Sequence, residues 1–250
     1  GSARKTTADL FGDKLHTYTI IDAIRDHNVL KFHIDYIRTM RMKDNVKDEQ
    51  VWGIETKEAL HDPRRITNNV RYVLDHYAAK TKRAESYVMS KIENVEEVVK
   101  RGRKVEEIKR KHKVGGFNSI LAADSVEMAI AYYNEFKKQQ ESLPINNRLK
   151  IATIFTYGVN QEEDEYDDDI IDDTSETPED VSQLKQKSPA AYEALEKAIV
   201  DYNNMFHVNY SLNGDSFQNY YKDVSLRVKN REIDLLIVVG MFLTGFDAKT

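Results

Sequence analysis

Hydrophobic and polar positions change period several times along the chain. Leu30, Phe32, Ile34 and Tyr36 alternate with Lys31, His33 and Asp35, and a period of two predicts a half-buried strand. Ahead of it, Ile20, Ile21 and Ile24 predict a short helix that stops near Asn28. A polar connector fills residues 43–50. Asp62-Pro63 then supplies an N-cap followed by proline at the first helical position, where its missing N–H has no bond to lose. Ile66, Val70, Val73, Leu74 and Tyr77 recur on one face behind it, which predicts an amphipathic helix.

Charge dominates residues 80–113. Val88, Ile92, Val95 and Val99 keep helical spacing until Gly102 breaks it, so residues 80–114 are expected to form a charged helical insertion. Two basic clusters stand there, Lys100-Arg101-Gly102-Arg103-Lys104 and Lys109-Arg110-Lys111-His112-Lys113. One reading pairs them with Glu96, Glu97, Glu106 and Glu107 on a solvated helical face. The other turns Lys109, Arg110 and Lys111 toward phosphate, as candidate nucleic-acid contacts.

Beyond this point apolar runs alternate with amphipathic helices. Residues 117–123 form one such run, and Asp124-Ser125-Val126-Glu127 follows with the pattern of a capping box. Val126, Ala129, Ile130, Tyr133 and Phe136 give the next helical face. Residues 149–157 are apolar again, and Ala191, Leu195, Ala198, Ile199, Tyr202 and Phe206 mark a further helix. Another carries Phe217, Tyr220, Tyr221, Val224 and Val228, with Asp215 as the expected cap. Residues 233–239 are the most hydrophobic run, stopped by Gly240. Strands apolar throughout, separated by amphipathic helices, belong to a parallel sheet covered on both faces. The expected fold is therefore α/β, with a mainly parallel sheet flanked by helices.

Composition narrows the chemistry. The 250 residues hold no cysteine, which excludes disulfides, thiolate metal sites and cysteine nucleophiles and fits a reducing cytoplasm. No apolar run approaches a membrane span. The formal net charge is −5, so any nucleic-acid contact must be local. The acidic insertion within residues 160–188, densest at residues 162–173, lacks the oxygen spacing and glycine turn of a calcium loop. It reads instead as a self-repelling loop. Glu55-Thr56-Lys57 and Glu107-Ile108-Lys109 match half of a metal-dependent nuclease core, but neither is placed on an expected strand end beside an aspartate. The seven histidines show no paired-ligand spacing. No metal site is expected. Gly240 and Gly245 have the spacing of a phosphate-binding loop, but Phe246 and Asp247 stand where lysine and Ser/Thr are required.

Three stretches together resemble the motor region of the restriction (R) subunits of type I restriction-modification enzymes. They are Phe11-Gly12-Asp13-Lys14-Leu15-His16-Thr17-Tyr18 leading into Asp22-Ala23-Ile24, then Gly116-Phe117-Asn118-Ser119-Ile120, and finally Val238-Val239-Gly240-Met241-Phe242-Leu243-Thr244-Gly245-Phe246-Asp247-Ala248. The last is similar to motif V of superfamily-2 helicases, the second to motif IV, and the first to the link leaving the first motor lobe. The resemblance implies a fragment of a longer chain. Gly1-Ser2 looks like a cloning remnant, residues 1–14 are expected to be tag and interlobe linker, and residues 15–250 a C-terminally truncated second RecA-like lobe.

Further expectations rest on that resemblance. The parent is an ATP-dependent double-stranded DNA translocase and endonuclease using ATP and Mg2+. Its partners are duplex DNA, the first RecA-like lobe of the same chain, and the methyltransferase and specificity subunits. Thr244 and Gly245 should touch DNA phosphates, and Asp247 should lie on the ribose side of ATP. Ser125 either binds phosphate at a helix N-terminus or simply caps its helix. The fragment lacks a Walker A loop, an Asp-Glu-x-His box and the arginine-bearing motif VI, so it is expected to be inactive alone, with no catalytic residue of its own. The alternative is a noncatalytic lobe that docks other subunits.

Overall fold

The computed structural model describes residues 17–29, 31–37, 60–101, 104–155, 185–186 and 188–239. The chain divides into two compact units, residues 1–41 and residues 42–250. In the first, helix α1 (Ile20–Arg25) begins at Thr19 with a reciprocal capping box. Thr19 N–H donates to Asp22 Oδ2 at 2.9 Å. The strand expected over residues 30–36 does not form: residues 31–37 are irregular, and Phe32, Ile34 and Tyr36 are exposed. A period-two pattern becomes a strand only with a ladder partner and a cover for its apolar face. The described residues of this unit supply neither.

In the second unit, helix α2 (Pro63–Lys80) starts as expected, with Asp62 accepting from Arg64 N–H at 2.7 Å. Ile66, Val70 and Tyr77 are buried along it. Next comes a correction. The charged stretch is not a helical insertion but an antiparallel ribbon of β1 (Ser86–Ile92) and β2 (Lys109–Gly115), with the short helix α3 (Val95–Arg101) between its strands. The helical spacing of Val88, Ile92, Val95 and Val99 crosses an element boundary: the first two lie on β1 and the last two on α3. Asn94 holds the join, its carboxamide donating to Glu106 O and accepting from Ile108 N–H, both at 2.9 Å.

The remaining elements are β3 (Ser119–Ala123), α4 (Val126–Gln140), β4 (Ile151–Ile154), α5 (Pro189–Phe206), α6 (Gly214–Lys229) and β5 (Leu235–Val239). The three strands form a parallel sheet in the order β3-β5-β4. Ser119 and Ile151 both pair with Leu235. Every residue of β4 and β5 is buried, including Thr153, whose hydroxyl donates to Ile237 O at 3.1 Å. This α/β arrangement of a parallel sheet flanked by helices is consistent with a RecA-like lobe. The helical faces fall as the periodicity predicts: Phe136, Leu195, Ile199, Tyr202, Tyr220 and Val224 join the strands in one core. Two caps differ. Ser125, not Asp124, caps α4, so Glu127 makes no reciprocal bond, and α6 starts at Asn213 without a side-chain cap, leaving Asp215 in its first turn.

The amino edge of the sheet converges on Asp234. Its N–H donates to Lys150 O at 2.8 Å, and its carbonyl accepts from Ser119 N–H at 2.9 Å. Its carboxylate accepts from Lys150 N–H at 2.8 Å and pairs with Arg83, just ahead of β1. The Tyr77 hydroxyl donates to the Asp234 carbonyl. Gly116 closes the ribbon against the same edge at φ +65°, where a Cβ would lie 2.6 Å from Thr81 O; that approach admits only glycine. A second clamp is Asn230, whose carboxamide accepts from Ile92 N–H at 2.9 Å and donates to Ile92 O at 2.8 Å. Asn230→Ala should strand both Ile92 groups and destabilise the protein by about 1–3 kcal/mol in urea unfolding. Hydrogen exchange should speed up at Ile92 and stay slow at the β5 amides.

Candidate functional site

Parallel strands deliver all their carboxyl ends to one edge, and loops leaving that rigid base are where open α/β sheets place binding groups. Here β3 leads into Asp124-Ser125, β4 into the buried Phe155, and β5 into Gly240. Ser125 has extended backbone, φ −150° and ψ 162°, and its Oγ accepts from Met128 N–H at 3.3 Å. The same hydroxyl donates to Asp124 Oδ1 at 3.2 Å. The capping role is thus observed directly.

The start of α2 meets this edge. His61 Nε2 lies 3.2 Å from Asp124 Oδ2, one residue ahead of the Asp62 cap. Hydrogen bonds from the Arg64 side chain and backbone N–H hold the Asp62 carboxyl down at about 2. Because this pKa is depressed in the folded protein, the cap stabilises α2 above the ordinary carboxylate range and is lost only as pH falls toward 2. The described part of the edge therefore presents Asp62, Asp124 and Glu127 beside His61 and Arg64. Among the described residues, no cluster of three or more His, Cys, Asp or Glu is arranged to hold a metal ion.

Lys109, Arg110 and Lys111 sit elsewhere. They open β2, where Lys109 pairs with Ile92 and Lys111 with Ser90. Asn230 holds Ile92 near the turn that enters β5, so the basic strand belongs to the amino edge and Ser125 to the carboxyl edge. Glu107-Ile108-Lys109 lies at a strand start rather than in a helix, with Lys109 Nζ 2.8 Å from Glu107. The residues opposite on β1 are Ser90, Lys91 and Ile92, which provide no aspartate. Thr244, Gly245 and Asp247 lie outside the described residues, as do Glu55, Lys57 and the acidic stretch at residues 162–173.

Sequence reasoning noted Asp201–Phe206 and Tyr220–Asp223 only as stretches similar in style to the family, and gave no role to the buried charges that set the geometry. Asp223 is fully buried, and its Oδ2 accepts from Tyr202 OH at 2.6 Å and Arg227 Nε at 2.8 Å. Burial, and then the nearby Asp223 charge, push the Tyr202 phenol well above its ordinary range, so it remains a donor. Arg227 also reaches Glu232 at 2.7 Å and stacks 4.4 Å from the Phe206 ring centroid. The available signal was the i, i+4 spacing of Asp223 and Arg227 on an otherwise apolar face.

A family model described as type I restriction enzyme subunit R domain 3 matches residues 115–250, more than half of the chain and all of the parallel sheet. The chain belongs to the R (endonuclease) subunit family of type I restriction enzymes. It is 32% identical over 249 residues to the endonuclease subunit of the type I restriction enzyme SauCOLORF180P of Staphylococcus aureus, covering 98% of this chain and 21% of that protein. The corresponding SsaAORF53P subunit of Staphylococcus saprophyticus is 33% identical with the same coverage. A Mycoplasma pneumoniae protein, named as the middle part of the MpnIIP endonuclease subunit, is 34% identical over 137 residues, 53% of this chain and 87% of its own length. The chain thus spans about a fifth of the length of its staphylococcal R-subunit relatives. Among its described residues no helix is long and apolar enough to cross a membrane.

In this R-subunit domain the Ser125 cap carries a definite cost on removal. Ser125→Ala should destabilise the chain by about 0.5–2 kcal/mol, read as a lower urea midpoint with an unchanged m-value. A midpoint equal to that of the unaltered chain would show that the 3.3 Å cap bond contributes nothing.

Proposed function

We propose that this chain is one of the two lobes of an ATP-dependent, double-stranded DNA translocase motor within a type I restriction endonuclease. The observation that carries the reading is β5. It is the central, wholly buried strand of the parallel sheet, and it runs straight into Gly240-Met241-Phe242-Leu243-Thr244-Gly245-Phe246-Asp247. The carboxyl end of β5 lies at the edge where a rigid strand gives the segment that follows it a fixed base. In this reading Thr244 offers a hydroxyl and Gly245 a backbone N–H to DNA phosphate oxygens, contacts that position the duplex without reading its sequence. Asp247 accepts from a ribose hydroxyl of ATP. Ser125 already spends its hydroxyl on a cap, so its part is to orient α4 at the same edge.

The residues of this edge divide the nucleotide between two lobes. Asp62, Asp124 and Glu127 with His61 and Arg64 are a poor cradle for a triphosphate and its Mg2+, and the chain has no Gly-rich loop ending in lysine. Phosphate and metal binding are therefore assigned to the first RecA-like lobe of the full-length subunit, which presses against this edge. Methyltransferase and specificity subunits complete the assembly, in the cytoplasm. By itself the chain should neither hydrolyse ATP nor cut DNA, since half of each site is elsewhere.

The test substitutes Thr244→Ala and Asp247→Ala separately in the full-length R subunit. Both variants should fold with unchanged thermal midpoints and lose at least about 100-fold in DNA-stimulated ATPase, the scale on which a single positioned contact acts in catalysis. Wild-type rates in both, or simple unfolding of either, would remove the assignment of this turn.

A further inference from the structure

We propose that the outer face of the β1–β2 ribbon is a second, sequence-independent contact for the phosphate backbone of duplex DNA, carried by Lys109, Lys111 and Lys113. The choice of duplex rests on the motor reading above. The face itself follows from the pleat. Side chains alternate along a strand, so Lys109, Lys111 and Lys113 share one side of β2, about 6.8 Å apart at each step of two residues. Their cross-strand neighbours are Ile92, Ser90 and Val88, so no carboxylate lies opposite them. This side faces solvent: Val88 is 64% exposed, whereas Met89, pointing the other way, is 5% exposed.

Arg110 and His112 project with Met89, and Glu93 takes both, at 3.0 Å and 3.3 Å. The outer face thus drops Arg110 from the basic cluster and adds Lys113. Lys109 has an exposed ion pair with Glu107 at 2.8 Å, of the kind that contributes little and exchanges readily. Lys111 and Lys113 make no ion pair among the described residues. Three ammonium groups in a row, unneutralised across the ribbon, form a local positive track on a chain whose net charge is −5.

The chemistry of the face favours phosphate over a protein partner. Protein interfaces are depleted in lysine and built around aromatic and arginine anchors, and this face carries neither among Ser86, Val88, Ser90, Lys109, Lys111 and Lys113. Lysines act as point charges toward phosphate and do not discriminate bases. A motor that moves along any sequence needs contacts of this kind. The ribbon is also held firmly at both ends. Asn230 grips Ile92, Arg83 pairs with Asp234, and Phe117 N–H donates to Thr81 O at 2.7 Å. The track is therefore fixed to the amino edge, away from the carboxyl end of β5.

The experiment uses the full-length R subunit with Lys109→Gln, Lys111→Gln and Lys113→Gln combined, and duplex DNA of arbitrary sequence. Binding is followed by fluorescence anisotropy as a function of salt, with circular dichroism as the folding control. Losing three phosphate contacts should flatten the slope of log affinity against log salt by about 2.7, at about 0.9 per contact. Arg110→Gln should leave that slope unchanged. An unchanged slope in the triple variant overturns the proposal. So does failure of the unaltered subunit to bind duplex at low salt, or loss of co-purifying methyltransferase and specificity subunits with an intact slope. DNA-stimulated ATPase of the unaltered subunit separates this proposal from the motor reading. Its absence alongside a flattened slope would sink only the motor, and its presence with an intact slope only the ribbon.

Discussion

At Asp234 a single residue closes hydrogen bonds in four directions where the three parallel strands begin. Its backbone joins β5 to the residues that open β3 and β4, and its carboxylate takes Lys150 N–H and the Arg83 guanidinium. Backbone groups at the start of a buried parallel sheet must be satisfied somewhere, since leaving one unpaired costs on the order of a few kcal/mol. Asp234 supplies those partners with one side chain and one peptide unit. Because Arg83 stands immediately before the ribbon, the same residue also fixes where β1 leaves the lobe.

The consequence is a lobe with two differently built edges. The amino edge is tied together by Asp234, Asn230, Tyr77 and Gly116, and it carries the lysine-bearing ribbon. The carboxyl edge carries helix starts, the Ser125 cap and the end of β5 at Val239. The buried Tyr202-Asp223-Arg227 group lies between helices α5 and α6. Asp223 is fully buried, and removing Arg227 would leave its charge in the interior with the Tyr202 hydroxyl as partner, whereas Arg227 also has Glu232. In the proposed motor, a phosphate grip at one edge and a nucleotide-responsive turn at the other are joined by the shortest available route, strand β5 itself.

Much of this was legible in the residues. The apolar runs at residues 149–157 and 233–239 contain the buried parallel strands β4 and β5, and the spacings behind Asp62-Pro63, Ser125 and Ala191 gave the helices that cover them. The ribbon was not legible. Lys109-Arg110-Lys111-His112-Lys113 has no apolar alternation, so its strand form comes from pairing with β1, and Val88 to Val99 mimic a helix across a boundary set by Asn94. Residues 31–37 fail in the opposite sense, with a strand pattern and no strand. Asp234 gave only a lone charge beside an apolar run, because its partner Arg83 is 151 residues away in sequence. At the site, residues 240–247 lie outside the described residues and rest on the resemblance alone, whereas the solvent-facing set of lysines needed the register of the ribbon.

The central claim is that Asp234 couples the ribbon to the sheet, and a double-mutant cycle measures that coupling directly. Urea unfolding of the unaltered chain, Arg83→Gln, Asp234→Asn and the double variant gives the interaction free energy after both single losses are removed. The Arg83 and Asp234 side chains retain 34% and 18% of their exposure, so the pair is only partly screened by solvent. The account predicts a coupling of about 1–2 kcal/mol, within the range found for residues in contact. Additivity to within about 0.3–0.5 kcal/mol, as for distant sites, would contradict it.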